Sequence, residues 1–174
     1  MAVDAHAYTL ESLADEIRAA LMADPGPDGK ANVASIVSRV LLDREFVAEH
    51  LKDRAADEAP RAVLYEDEEL GFCICGHVHD SEAIGGPHDH GPSWAIYGQA
   101  EGETEMTDWQ IVERGTSDEP HLVEAVSTYV MKPGDAHVYD VGDVHSPKRV
   151  KPVKLIRIEG ANLDHVQRSN IARR

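Results

Sequence analysis

The sequence predicts a mainly β fold, a barrel or sandwich of short strands entered through a helical segment. Two observations carry this. Up to Leu51 the apolar residues recur at helical spacing, whereas from Arg61 onward they fall into short runs split by turn-forming clusters.

Leu10, Leu13, Ile17, Ala20 and Leu21 mark a first helix behind Thr9, a residue suited to cap it, and the run Asp24-Pro25-Gly26-Pro27-Asp28-Gly29 ends it. Val33, Ile36, Val37, Val40 and Leu41 mark a second helix. Phe46, Val47 and Leu51 mark a third after Asp43, and a charged exit follows over 52–60. These apolar stripes are read as packing surfaces rather than partner-binding faces. Strands are expected at 62–65, 70–78, 93–100, 103–113, 122–131, 136–141 and 153–159, with breaks at 66–69, 115–120 and 133–135. Strands this short at this spacing suit a closed or two-sheeted β architecture.

A chain of 174 residues suits a single domain, with residues 9–58 as a helical extension and 61–163 as the barrel, and can bury a core without disulfides or a structural metal. With 17 Lys+Arg against 32 Asp+Glu, the net charge of -15 repels phosphate backbones and anionic lipid. No nucleic acid and no membrane is expected as a partner. Cys73 and Cys75, two apart on one strand, are poorly placed to bridge each other and are read as reduced core thiols. No basic segment followed by an apolar run opens the chain, and no stretch approaches the roughly 18 apolar residues of a membrane span. A cytoplasmic protein, monomer or homodimer, is expected.

The most informative stretch is Gly85-Gly86-Pro87-His88-Asp89-His90-Gly91-Pro92-Ser93-Trp94. On an extended segment His88 and His90 project to one side and Asp89 to the other. The surrounding Gly and Pro place the pair at a strand end or barrel rim, where a site can open to a ligand. A second turn, Gly142-Asp143-Val144-His145, can bring a third imidazole, so that three histidines hold a divalent metal. His137, in Pro133-Gly134-Asp135-Ala136-His137, competes for the third position. His77 and His79 form another His-x-His pair, read as exposed or supporting histidines at a strand exit.

These motifs, from Pro87-His88-Asp89-His90 to Gly102 and then Pro133-Gly134-Asp135 and Gly142-Asp143-Val144-His145, resemble the cupin superfamily, and within it the cysteine dioxygenase and 3-mercaptopropionate dioxygenase group. The resemblance spans Arg61 to Leu163. It implies a double-stranded β-helix, a jelly-roll-like barrel, holding one ferrous ion, Fe(II), through His88, His90 and His145. It also implies addition of both atoms of dioxygen to the sulfur of a thiol. Most cupins add a glutamate four or five residues after the second histidine; Trp94 and Ala95 stand there and cannot ligate. Three neutral imidazoles leave the full charge of a divalent ion in place, which favours an anionic ligand such as a thiolate.

Arg61, opening Arg61-Ala62-Val63-Leu64-Tyr65, is similar to the arginine with which cysteine dioxygenases grip the substrate carboxylate, a task suited to a planar bidentate donor. Two departures stand out. The late-strand Ser-x-His-x-Tyr relay of that group is replaced by Leu155, Arg157 and Glu159, and its crosslinking cysteine falls at Ala95. If alternation turns the 155–159 face into the cavity, Arg157 can bind a substrate carboxylate with Glu159 holding it. Tyr97, Tyr129 and Tyr139 are candidate replacement hydroxyls, and Trp94 a candidate pocket wall. The expected function is oxidation of a small carboxylate-bearing thiol by dioxygen. The alternatives are another metal-dependent chemistry, carbon–carbon cleavage or isomerisation, and a binding protein without turnover.

Overall fold

The computed structural model describes residues 8–174. Three helices come first: α1 (Leu10–Ala23), α2 (Pro27–Val40) and α3 (Arg44–His50). Thr9 caps α1, accepting from the Ser12 amide while the Ser12 hydroxyl accepts from its own. Asp43 caps α3 through the Glu45 and Phe46 amides. The break between α1 and α2 is shorter than the Pro/Gly run suggests, because Pro27 sits at the start of α2, where its missing N–H has no partner to lose.

The strands are β1 (Arg61–Glu66), β2 (Cys73–His79), β3 (Ala83–Ile84), β4 (Ala95–Glu101), β5 (Thr104–Glu113), β6 (His121–Met131), β7 (Ala136–Tyr139), β8 (Val144–Arg149), β9 (Val153–Glu159) and β10 (Ile171–Arg173). They form two five-stranded sheets, β1-β2-β9-β4-β7 and β10-β6-β5-β8-β3. Without the edge strands β1 and β10, the orders β2-β9-β4-β7 and β3-β8-β5-β6 are those of a jelly roll, the double-stranded β-helix of cupins, in which consecutive hairpins wind across two facing sheets. The fold is mainly β with a short N-terminal helical segment.

The helices cover the outer face of the first sheet. Leu13, Ile17, Val33, Val37, Val40, Phe46 and Leu51 pack on Ile74, Val78, Ile96, Ile156 and Ile158. Close approach here requires Gly98: a Cβ on it would lie 2.5 Å from Val37 Cγ1 and 3.0 Å from Leu41 Cδ1. Strands β2, β4 and β9 are thereby buried on both faces, so their inner face is free to carry polar groups without meeting bulk solvent. The inner rungs follow from register: Cys75, Arg157, Tyr97 and His137 lie side by side across β2, β9, β4 and β7, and Cys73, Glu159, Ala95 and Tyr139 form the next rung. The second sheet keeps a polar outer face, with Thr107 and Thr128 paired at 3.1 Å.

β3, β8 and β10 lie outside the strands expected from sequence. β8 reads Val144-His145-Ser146-Pro147-Lys148-Arg149, polar and interrupted by a proline, yet it runs between β5 and β3 with Pro147 opposite Met106. The expected strand at 70–78 begins at Cys73, because Gly71 takes φ 75° and Asp67 caps the turn through the Glu69 and Leu70 amides.

Candidate metal centre

His88, His90 and His145 come together, each offering a ring nitrogen within 4.8 Å of the others. His145 is carried by β8. His88 lies just before β4 in an isolated antiparallel bridge to His145, with both backbone hydrogen bonds at 3.0 Å. The ring centroids of His88 and His90 lie 4.6 and 4.9 Å from that of His145. Asp89 points the other way, as alternation requires, and accepts from the Gly91 and Ser169 amides at 3.0 Å, pinning the loop to the C-terminal segment. Gly91, at φ 60°, turns the chain directly behind His90; any Cβ there would collide with the Gln167 carbonyl.

The donor set suits a divalent ion. Burial pushes His88 down to about 4 and His90 to about 3, with Arg157 adding to both shifts; burial followed by the fields of His88 and His90 lowers His145 further. All three rings are therefore neutral with a free lone pair at physiological pH. The Gly86 carbonyl, 2.9 Å from His88 Nδ1, fixes that nitrogen as the protonated one and leaves Nε2 to ligate. His90 Nε2 and His145 Nε2 converge on one atom, the Tyr97 hydroxyl, at 3.0 and 3.3 Å. No carboxylate joins the group among the described residues.

Sequence alone offers Tyr97, on β4, only as one of three candidate hydroxyls beside Tyr129 and Tyr139. Its hydroxyl also accepts from Arg157 Nη1 at 3.0 Å. Tyr139 stacks on His145, ring centroids 3.8 Å apart, and its hydroxyl lies 2.6 Å from that of Tyr129, which donates to Asp108. The signal for Tyr97 was its place on the inner rung beside Arg157, visible only once β4 and β9 are paired in register.

Arg157 and Glu159 do face the interior. Arg157 Nε donates to Glu159 Oε1 at 2.8 Å, and Nη2 to the same oxygen. Arg61 donates to both Glu159 oxygens, at 3.1 and 2.7 Å, and to Asp164 at 2.6 Å. Glu159, with no exposed surface, thus joins the two arginines, and they hold its carboxyl below the usual range against the opposing effect of burial. Neither arginine presents a free fork to the three histidines.

His137 is exposed on β7, stacked on Tyr129 and tilted against Tyr139, and lies outside the histidine cluster. Trp94 packs with the helix-side core instead of walling the centre. His77 is buried rather than exposed, with a ring nitrogen lacking a partner among the described residues. Cys73 and Cys75 are free and buried; burial first and the field of a nearby carboxylate second push them up to about 11 and about 12, so neither is a thiolate at neutral pH. Among the described residues no helix is long and apolar enough to cross a membrane.

No protein-family model matches the sequence, and no curated protein matches it. Solved structures do resemble it. The cupin domain of Cnp3 from Schizosaccharomyces pombe is 15% identical over 60% of this chain and 67% of that one, with a TM-score of 0.45. A conserved protein with a double-stranded β-helix domain from Klebsiella pneumoniae is 17% identical, covering 67% of this chain and 89% of that one, with a TM-score of 0.47. KdgF from a Halomonas species is 18% identical, covering 68% and 87%, with a TM-score of 0.43. Likeness at this level carries nothing about activity, and the jelly-roll assignment stands on strand order. What the chain itself presents is a cupin-type barrel with a three-histidine group able to hold a metal ion.

Proposed function

We propose that this chain is an iron(II)-dependent thiol dioxygenase, in which His88, His90 and His145 hold the metal and a small carboxylate-bearing thiol is converted to its sulfinate. The overall reaction, RSH + O2 giving RSO2H, forms two sulfur–oxygen bonds and breaks the dioxygen bond, with sulfur supplying the four electrons. The observation that carries this reading is the all-nitrogen donor set with a phenol at its centre. Iron(II) held by these three residues would supply exchangeable positions for thiolate and dioxygen and the redox chemistry that dioxygen requires. Three neutral imidazoles add no negative charge, so the site favours an anionic thiolate.

The remaining roles belong to the chain. With the His90 and His145 lone pairs engaged, the Tyr97 hydroxyl hydrogen is free to donate to a bound substrate. The phenol that β9 lacks is thereby supplied from β4, one rung position across from Arg157. Arg157 holds the Tyr97 oxygen in place, and Glu159 with Arg61 holds Arg157. Tyr139 closes one face of His145 against water.

Oxygen uptake by iron-loaded protein with 3-mercaptopropionate, cysteine and carboxylate-free thiols tests the reading, with the product identified by its gain of two oxygen atoms. Thiol-dependent uptake matched by sulfinate supports it. Iron-loaded protein that binds thiols without consuming oxygen contradicts it and leaves a binding role.

A further inference from the structure

Tyr139 and Tyr129 form a pair of phenols whose hydroxyls the proposed reaction leaves unused. The two oxygens are 2.6 Å apart, and Tyr129 gives its one hydrogen to Asp108 Oδ1, 3.2 Å away. The hydrogen between the phenols therefore belongs to Tyr139. The order of donation is fixed, from Tyr139 to Tyr129 to Asp108. Burial pushes both phenols above their usual range, so each holds its proton at neutral pH.

The pair also bridges the histidine group and the surface. Tyr139 is buried and stacks on His145, with ring centroids 3.8 Å apart and an interplanar angle of 25°. Tyr129 is half-buried, stacks on the exposed His137 at 5.2 Å, and lines a surface cavity of about 360 Å³ together with Ser38, Met131 and Ala136. Asp108 lines a second cavity, of about 400 Å³, where its carboxylate can exchange a proton with water. An electron and a proton thus have separate routes to solvent from one buried ring.

We infer that Tyr139, Tyr129 and Asp108 form a proton-coupled relay that carries one oxidising equivalent from the histidine group to the surface. A phenol that loses an electron becomes a strong acid, so its oxidation is favoured where a base stands ready for the proton. Tyr139 gives one electron to a one-electron oxidant, its proton passes to Tyr129, and the proton of Tyr129 passes to Asp108. The neutral radical on Tyr139 then takes back a hydrogen atom across the shared contact, which moves the radical to Tyr129. A small one-electron reductant in the cavity beside Tyr129 returns the electron, and Asp108 returns the proton. Its use is to drain an oxidising equivalent before it damages the ligating rings. The inference rests on the dioxygenase reading for the source of the oxidant, but the relay itself requires neither metal nor turnover.

The test is flash oxidation of the metal-stripped full chain by photogenerated tris(bipyridine)ruthenium(III), read by transient absorption and electron paramagnetic resonance. Wild type gives a tyrosyl radical that forms more slowly in deuterated water, and ascorbate shortens its lifetime. Asp108→Asn, with no base left to take the proton, lowers the yield roughly tenfold. Tyr129→Phe keeps Tyr139 but breaks its route to Asp108, and lowers the yield as far. Tyr139→Phe changes the hyperfine pattern of the radical, which is then confined to Tyr129. Oxidation that settles on Trp94 or Trp109 with no tyrosyl signal overturns the relay. So does a yield unchanged in either of the first two variants, a pattern unchanged in Tyr139→Phe, or a lifetime indifferent to ascorbate. Should Asp108→Asn fail to fold, Tyr129→Phe decides alone. A relay intact in protein that consumes no oxygen with thiols would stand, while the proposed reaction would fall.

Discussion

Replacing Glu159 with glutamine probes the interior most sharply, because the shape is kept and only the charge is removed. Glu159 is wholly buried and accepts from Arg157 Nε, Arg157 Nη2, Arg61 Nε, Arg61 Nη2 and the Leu163 amide. Arg61 loses least, since its side chain is 17% exposed and keeps Asp164 at 2.6 Å. Arg157, one-tenth exposed, is left as an uncompensated interior charge beside Arg149. Breaking a buried pair in this way costs about 3–5 kcal/mol. The amide oxygen still accepts from one arginine, which places Glu159→Gln near the lower end, about 3 kcal/mol. With a urea m-value of about 2 kcal/mol/M, the unfolding midpoint falls by about 1.5 M. Adding Arg157→Met to Glu159→Gln recovers part of the loss, since no buried charge is then stranded at that position. A midpoint shift below about 0.5 M, or a double variant no more stable than the single one, would refute the claim that Glu159 neutralises Arg157.

Other outcomes follow from the same geometry. Tyr97→Phe keeps the ring packed against Tyr139 but removes the hydroxyl shared by His90, His145 and Arg157, so iron is retained while thiol-dependent oxygen uptake falls roughly 10–100-fold; unchanged uptake would remove Tyr97 from the site. Gly98→Ala drives a methyl into Val37 and destabilises by about 1–3 kcal/mol in urea titration, with iron content unaffected. Metal-stripped protein loses stability as pH falls from about 6.5 towards 4. His88 and His90 are held down to about 4 and about 3, so over that window the unfolded chain binds protons that the folded one refuses. A flat melting profile there, or an equal slope after all three histidines are changed to glutamine, would contradict that sign.

Much of the frame was readable from the chain because its signals are local. Thr9, Asp43 and the helical stripes set the N-terminal segment, and Gly and Pro set the strand breaks. The His88-x-His90 loop was likewise marked by its own turn residues. β8 was hidden because Pro147 and its polar neighbours break the alternation that marks a strand, although pairing to β5 overrides that weakness. The partners of the inner arginines were hidden for another reason: which of them meets Glu159 depends on the register of β1, β2 and β9, a long-range property. The same register sets Tyr97 beside Arg157, where a period-two pattern places it merely on one face.

Metal content of the chain as purified, with elemental analysis of wild type beside His88→Ala and His137→Ala, bears most directly on the centre. The expected result is one iron per wild-type chain, retention in His137→Ala, and loss in His88→Ala with its strand and helix circular dichroism intact. Iron bound equally by His88→Ala, or lost from His137→Ala alone, would contradict a centre built from His88, His90 and His145.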